Sequence, residues 1–202
     1  MSIQSFHRSR VLGALAESVV RAHFEALGWR VAASGVEYVF PDFAALSATN
    51  LPDTFDFQHM RDTVSRLPDF LLTRIVPDTK RTADARTAGR RQAIFVEAKY
   101  RTVVEPNALA EELYVKYNNF ISIGVPILAY VLTRDPPYVL TRLYSTEKFP
   151  VRHQSQWAAA GDKIFDKLPL YQGIDGRTFN SVYASVVQPA LEEIWGPPVT
   201  QT

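Results

Sequence analysis

The sequence predicts an α/β fold, and three observations carry that prediction. Apolar residues recur at helical spacing in two separate stretches, one stopped by Gly28 and the other by Gly124. Between and after them come short apolar runs of strand length, the clearest being Ala93-Ile94-Phe95-Val96-Glu97-Ala98-Lys99-Tyr100-Arg101. With 202 residues, 47% of them hydrophobic, the chain can bury one sizeable core, as a single globular domain with room for a small appendage.

From the N-terminus, the first element is a helix from about Ser9 to Leu27, with Leu12, Leu15, Val19, His23 and Leu27 toward the core. A neighbouring stripe of Gly13, Glu17, Val20 and Phe24 sets one acid among small and apolar residues, away from the polar face of Ser18, Arg21 and Glu25. Trp29 to Ala33 reads as a first strand. The two prolines and scattered acids of residues 35–67 predict loops, with a helix around Phe57 to Leu67. Pro68-Asp69 opens the apolar run Phe70-Leu71-Leu72, and a basic segment leads back to the strand at Ala93, which together predict a long hairpin. Asn107 to Ile123 reads as a helix with Leu109, Leu113, Tyr117 and Phe120 inward. Strands at Pro126 to Thr133 and Tyr138 to Tyr144 follow, separated by Asp135-Pro136-Pro137. Beyond Phe149 the pattern turns helical, near Gln154 to Lys167 and again from Ser181 to Trp195, where Pro189 should kink or divide the helix.

Composition narrows the function. The absence of cysteine excludes disulfide frameworks and thiolate metal sites and fits a reducing compartment. No apolar run approaches the ~20 residues that cross a bilayer, and the N-terminus lacks the apolar core of a signal peptide. The expectation is a soluble, cytoplasmic protein with no membrane partner. The net charge of +1 is uninformative, but from Arg74 to Arg91 six basic residues (Arg74, Lys80, Arg81, Arg86, Arg90 and Arg91) stand against two acids. Such a segment is either a solvated loop or a nucleic-acid contact, and in the second case Arg81, Arg86, Arg90 and Arg91 bind phosphates.

The chemistry concentrates at the end of the Ala93 strand. Side chains alternate, so Glu97, Lys99 and Arg101 share one side and Ile94, Val96, Ala98 and Tyr100 the other, with Glu97 and Lys99 about 7 Å apart along the strand. Buried charge without a partner is costly, so this arrangement marks a site that a metal or a phosphate completes. Chance alone gives about 0.6 acid-x-lysine triplets at these residue counts, and two occur. Asp78-Thr79-Lys80 lies in a turn-rich loop that holds neither side chain, whereas Glu97-Ala98-Lys99 closes an apolar strand. Pro-Asp occurs four times, at Pro41, Pro52, Pro68 and Pro77. Only Pro68-Asp69 directly precedes an apolar run able to pair with the Glu97 strand.

Glu17 on a helix, then Pro68-Asp69, then Glu97-Ala98-Lys99, in the order helix, strand, strand, helix, strand, resembles the PD-(D/E)xK superfamily of restriction-endonuclease-like nucleases. The resemblance, which covers roughly residues 9–144, implies a mixed central sheet flanked by helices and so a nuclease-like core over residues 1–145. Residues 146–202 have no counterpart in it and read from their own pattern as a helical C-terminal addition packed on that core. It also implies an endonuclease that hydrolyses phosphodiester bonds in DNA with Mg²⁺, for which Mn²⁺ can substitute. Asp69 and Glu97 would hold the metal, Glu17 would complete its shell, and Lys99 would orient or activate the attacking water. Mg²⁺ chemistry agrees, since the ion prefers oxygen ligands, keeps several waters and needs few carboxylates when the substrate phosphate joins them. Lys99 can act as a base or stay charged and stabilise the transition state, and the sequence leaves both open. The superfamily often places an auxiliary polar residue on the next helix, where Tyr114, Lys116 and Tyr117 stand. Lys116 equally fits an i, i+4 pair with Glu112. The long basic connection between Asp69 and Glu97 departs from the superfamily's pattern.

Other constellations are weaker. Asp53, Asp56 and His59 read as a small metal cluster or, more commonly for such residues, as a solvated face. His7, His23 and His153 show no ligand spacing, and His23 belongs against the core. Two rival classes stand beside the nuclease: a nuclease-fold protein that binds nucleic acid or a protein partner without cutting, and an interaction module whose motifs are coincidence. Whether the chain works alone or as a homodimer is open.

Overall fold

The computed structural model describes residues 3–34, 67–76, 90–134, 138–145, 153–159, 161–167, 171–173 and 175–196. These residues form a mixed α/β structure around one six-stranded sheet whose strands lie side by side in chain order. The strands are β1 (Arg30–Ala33), β2 (Phe70–Val76), β3 (Arg90–Tyr100), β4 (Ile127–Leu132), β5 (Tyr138–Ser145) and β6 (His153–Ala159). All neighbours are antiparallel except β3 and β4. That parallel pair requires a crossover, supplied by helix α2 (Pro106–Ser122). Pro106 starts this helix where a missing N–H is harmless, and Gly124, at φ 84, turns the chain out of it.

The sheet is covered on both faces. Val20 and Phe24 of helix α1 (Ile3–Ala26), with Leu27 just after it, join Phe70, Leu72, Val96 and Tyr130 in one core. Leu113, Tyr117 and Ile121 of α2 join Ile127, Ala129 and Val131 in the other. β4 is buried along its whole length, as a central strand covered twice must be. Alternation sorts β3 between the two cores: Ile94, Val96 and Ala98 face the α1 side, and Phe95 faces α2. Glu97 and Lys99 share Phe95's side and therefore emerge toward α2.

The C-terminal segment departs from the helical addition expected over residues 146–202. The helix predicted from Gln154 begins instead as β6, an edge strand on β5, and only Ile164–Lys167 (α3) of that span is helical. Pairing with β5 overrides the helical preference of Ala158 and Ala159. Nor does the segment lie outside a finished core. Phe165, Phe179, Val182 and Leu191 belong to the same cluster as α1, with Phe165 stacked on Phe179 at 5.0 Å between ring centroids. The last helical stretch runs through Phe179–Val182 (α4), a π turn over Tyr183–Val187, and Gln188–Trp195 (α5). The disruption predicted at Pro189 takes this form. Proline removes an N–H and crowds the carbonyl four residues back, and the wider turn, in which the Gln188 N–H donates to Tyr183 O, lies directly before it.

Two polar residues are absorbed by the core. His23 has no exposed surface. Its Nε2 donates to Phe179 O at 2.9 Å, because a carbonyl can only accept, which leaves Nδ1 to accept from the Tyr130 hydroxyl at 3.2 Å. Burial, against the Phe179 hydrogen bond, lowers its pKa from 6.5 to about 4. Arg74, counted in the sequence among the cations of the basic segment, is also buried. Its guanidinium lies 4.1 Å from the Trp29 ring centroid, and it donates to Gln92 Oε1 at 2.8 Å and Gln172 O at 2.5 Å. The helix predicted around Phe57, the Asp53, Asp56 and His59 group, Lys80, Arg81 and Arg86 lie outside the described residues. Among the described residues, no helix is long and apolar enough to cross a membrane.

Candidate active site

The β2–β3 register brings the sequence motifs together. Phe70 pairs with Val96, so Asp69, one residue before, stands beside Glu97, one residue after. Asp69 Oδ2 accepts the Ala98 N–H at 2.7 Å, which holds the carboxylate against the backbone between Glu97 and Lys99. The end of β1 secures the entry to β2: the Ser34 hydroxyl donates to Pro68 O at 2.6 Å and the Ser34 N–H to Asp69 O at 2.9 Å. This Pro-Asp pair is thus fixed on both sides by neighbouring strands.

Glu97 is fully buried and carries three donors. Lys99 Nζ lies 2.5 Å and Lys116 Nζ 2.9 Å from Oε1, and the Tyr117 hydroxyl donates to Oε2. Burial opposes ionisation of this carboxyl, but the two ammonium charges and the hydrogen bonds from Lys99 and Tyr117 outweigh it and hold Glu97 below the ordinary glutamate range. Tyr117 sits at the kink of α2, where φ -111 and ψ 17 leave the helical region. Burial and the adjacent Glu97 charge raise its phenol far above the usual value, so it remains a donor. Asp69 shows the opposite balance. Burial first and the Glu97 charge second push its carboxyl from 3.8 to about 7, against the Ala98 N–H and both lysines.

These groups open onto a cavity of about 620 Å³ walled by α1, the end of β3 and α2. All four predicted catalytic residues, Glu17, Asp69, Glu97 and Lys99, line it. Arg8, Arg101 and Lys116 line it too, so among the described residues bases outnumber acids on its wall. Lys116 turns to Glu97 instead of Glu112, which is taken by Arg101 through two bonds of 3.0 and 3.1 Å. The i, i+4 alternative loses because α2 returns over β3 and sets Lys116 above a buried carboxylate, a juxtaposition with no local signature in the sequence.

Of the basic segment's side chains, those of Arg74 and Arg91 are described, and neither lines this cavity. Arg91 is exposed near the start of β3, about 20 Å along the strand from Glu97. Arg90 pairs with Val76 at that same far end. Arg81 and Arg86 fall outside the described residues.

Among the described residues, no three histidine, aspartate or glutamate side chains converge as a metal cluster. A cation here would rest on Asp69 and Glu97, with Glu17 on the same cavity wall. That donor set fits Mg²⁺, which is bound by one or two carboxylates plus waters and substrate phosphate. Glu97 offers about four lone-pair sites and three are taken, so acceptor capacity remains. Asp69, slow to ionise beside Glu97, gains most from a neighbouring cation. No family model, curated protein or solved structure matches the chain.

Proposed function

We propose that the protein is a Mg²⁺-dependent endonuclease that hydrolyses phosphodiester bonds in DNA, built on a restriction-endonuclease-like fold. The observation that carries this reading is the meeting of Asp69, Glu97 and Lys99 at one cavity, with the Asp69 carboxyl raised to about 7 by burial and by Glu97. Two crowded carboxylates that resist joint ionisation are a natural seat for a divalent cation. Asp69 and Glu97 would hold Mg²⁺, with Glu17 orienting the waters around it. When bound, the ion supplies polarisation of the phosphoryl oxygen and a more acidic water.

The chain's own residues provide the rest. The Tyr117 hydroxyl donates to Glu97 Oε2 while both lysines hold Oε1, which fixes the carboxylate at the cavity wall. Lys99 and Lys116 place two ammonium groups at the cavity wall, where they offset charge that builds on the phosphate oxygens during attack. Lys99 is held by a strand and Lys116 by a helix, and such pre-ordered donors need no rearrangement as charge develops. The surplus of bases on the wall suits a polyanionic substrate.

Supercoiled plasmid incubated with the full chain should be nicked and then linearised in Mg²⁺ or Mn²⁺, and left intact in EDTA or with Asp69→Asn. Plasmid that stays supercoiled with both metals overturns the endonuclease. Retarded migration of that uncut plasmid would mark a protein that grips DNA without cutting it.

A further inference from the structure

Helix α1 carries a residue that neither helix formation nor packing explains. Gly13 lies inside a 24-residue helix, where glycine is the least favourable residue other than proline. No neighbour requires it, since a Cβ built there meets no atom within 4 Å. Its backbone does not use glycine's left-handed freedom, because the glycines with positive φ lie elsewhere. What Gly13 does is line the candidate cavity, one helical turn before Glu17, together with Asp69 and Lys99. The space its missing side chain leaves is cavity space.

A second observation comes from the same helix. Arg8 is exposed and lines the same cavity. Lys99 and Lys116 are engaged by Glu97, and Arg101 by Glu112. Arg8 is thus the cavity base whose charge no described carboxylate offsets.

We propose that the sugar–phosphate backbone of the nucleic acid crosses α1 at Gly13, and that Arg8 binds a phosphate beside the one presented to Lys99. The inference rests on the nuclease reading and adds to it the path of the strand. The missing Cβ at Gly13 lets a backbone pass close to the helix, as glycine does wherever a ligand approaches main chain. Arg8 supplies a planar guanidinium suited to two phosphate oxygens at once. The strand is then tracked by α1, and Arg91 at the far end of β3 is not needed to position the scissile bond.

The test is binding of a fluorescein-labelled short DNA duplex in Ca²⁺, followed by anisotropy over a range of salt, beside thermal melting of each variant. Gly13→Ala should melt no lower than the wild type, because it improves helix propensity and its Cβ meets open space, and Gly13→Leu, which extends that side chain into the cavity, should keep a cooperative melt. Gly13→Leu should nevertheless weaken binding by about tenfold or more, and Gly13→Ala by less. Opposite signs for stability and affinity are a result that a purely structural glycine cannot give. Arg8→Ala should flatten the plot of log affinity against log salt by about 0.9, the loss of one phosphate contact, and Arg8→Lys should restore most of the slope. Unchanged affinity in Gly13→Leu together with an unchanged slope in Arg8→Ala, in a protein whose wild type cuts plasmid, overturns the strand path and leaves the nuclease standing. A wild type that neither binds the duplex nor cuts plasmid overturns both.

Discussion

Two polar centres are buried on opposite sides of the sheet, and the difference between them separates structure from chemistry. On the α1 side His23 is neutral, has a partner for each ring nitrogen, and is enclosed by Phe24, Phe179 and Tyr183. On the α2 side Glu97 is charged, held by two lysines and a tyrosine, set beside a second carboxylate, and open to a cavity. A satisfied neutral group adds specificity to a core at little cost. A buried charge cluster with an unresolved like-charge neighbour is a weak stabiliser and a strong sign of function. The comparison predicts that disturbing Glu97's surroundings changes activity more than stability, and that disturbing His23 does the reverse.

The largest effect should come from Lys99→Ala. Losing a pre-ordered charge at the phosphate should lower the cleavage rate by about 10²–10³, a larger effect than the loss of stability from leaving Glu97 with Lys116 as its remaining counter-charge. Undiminished turnover in that variant would break the comparison at its functional end.

The structural end is tested by pH. His23 has a folded pKa of about 4 against 6.5 for the free group. Below pH 6.5 the unfolded chain takes up a proton that the folded chain refuses until about pH 4, so stability present at neutral pH is lost as pH falls through that window. The loss should be about 3 kcal/mol. Urea unfolding of His23→Gln should lack this part of the pH dependence, while its cleavage at neutral pH persists in whatever fraction is folded. An identical pH dependence in the variant and the wild type would remove His23 from the account.

Smaller effects sharpen the boundary between the two centres. Tyr117→Phe should cost about 1 kcal/mol of stability by leaving Glu97 Oε2 without its donor, and should lower activity modestly through a looser carboxylate. Glu17→Ala should reduce cleavage by about tenfold, less than Asp69→Ala, if it acts through water. Equal losses would make Glu17 a direct ligand. Arg91→Ala, at the far end of β3, should change neither cleavage nor its salt dependence, and a flattened salt slope there would return DNA binding to the basic segment.

Much of the site was legible in the sequence because its signals are local. Asp69 ahead of an apolar run, and Glu97 and Lys99 two residues apart at a strand end, need only strand alternation and one hairpin register to meet. Glu17 was legible through helical periodicity, in a stripe that runs from the buried Val20 and Phe24 to the cavity. The remainder depends on contacts between distant segments. Lys116 has two chemically equal partners until α2 is seated over β3. Arg74 reads as a loop cation until β2 carries it under Trp29. Gln154 to Ala159 lacks β-branched residues and becomes a strand through the open edge of β5.

The central claim is that Asp69 and Glu97 together hold a divalent cation. Calorimetric titration of Mn²⁺ into the full chain measures it directly, with Asp69→Asn and Lys99→Ala titrated in parallel. The account predicts saturable binding by the wild type, its loss in Asp69→Asn, and its retention in Lys99→Ala, where the carboxylates remain. Equal binding by the wild type and Asp69→Asn, or no binding by either, would contradict it.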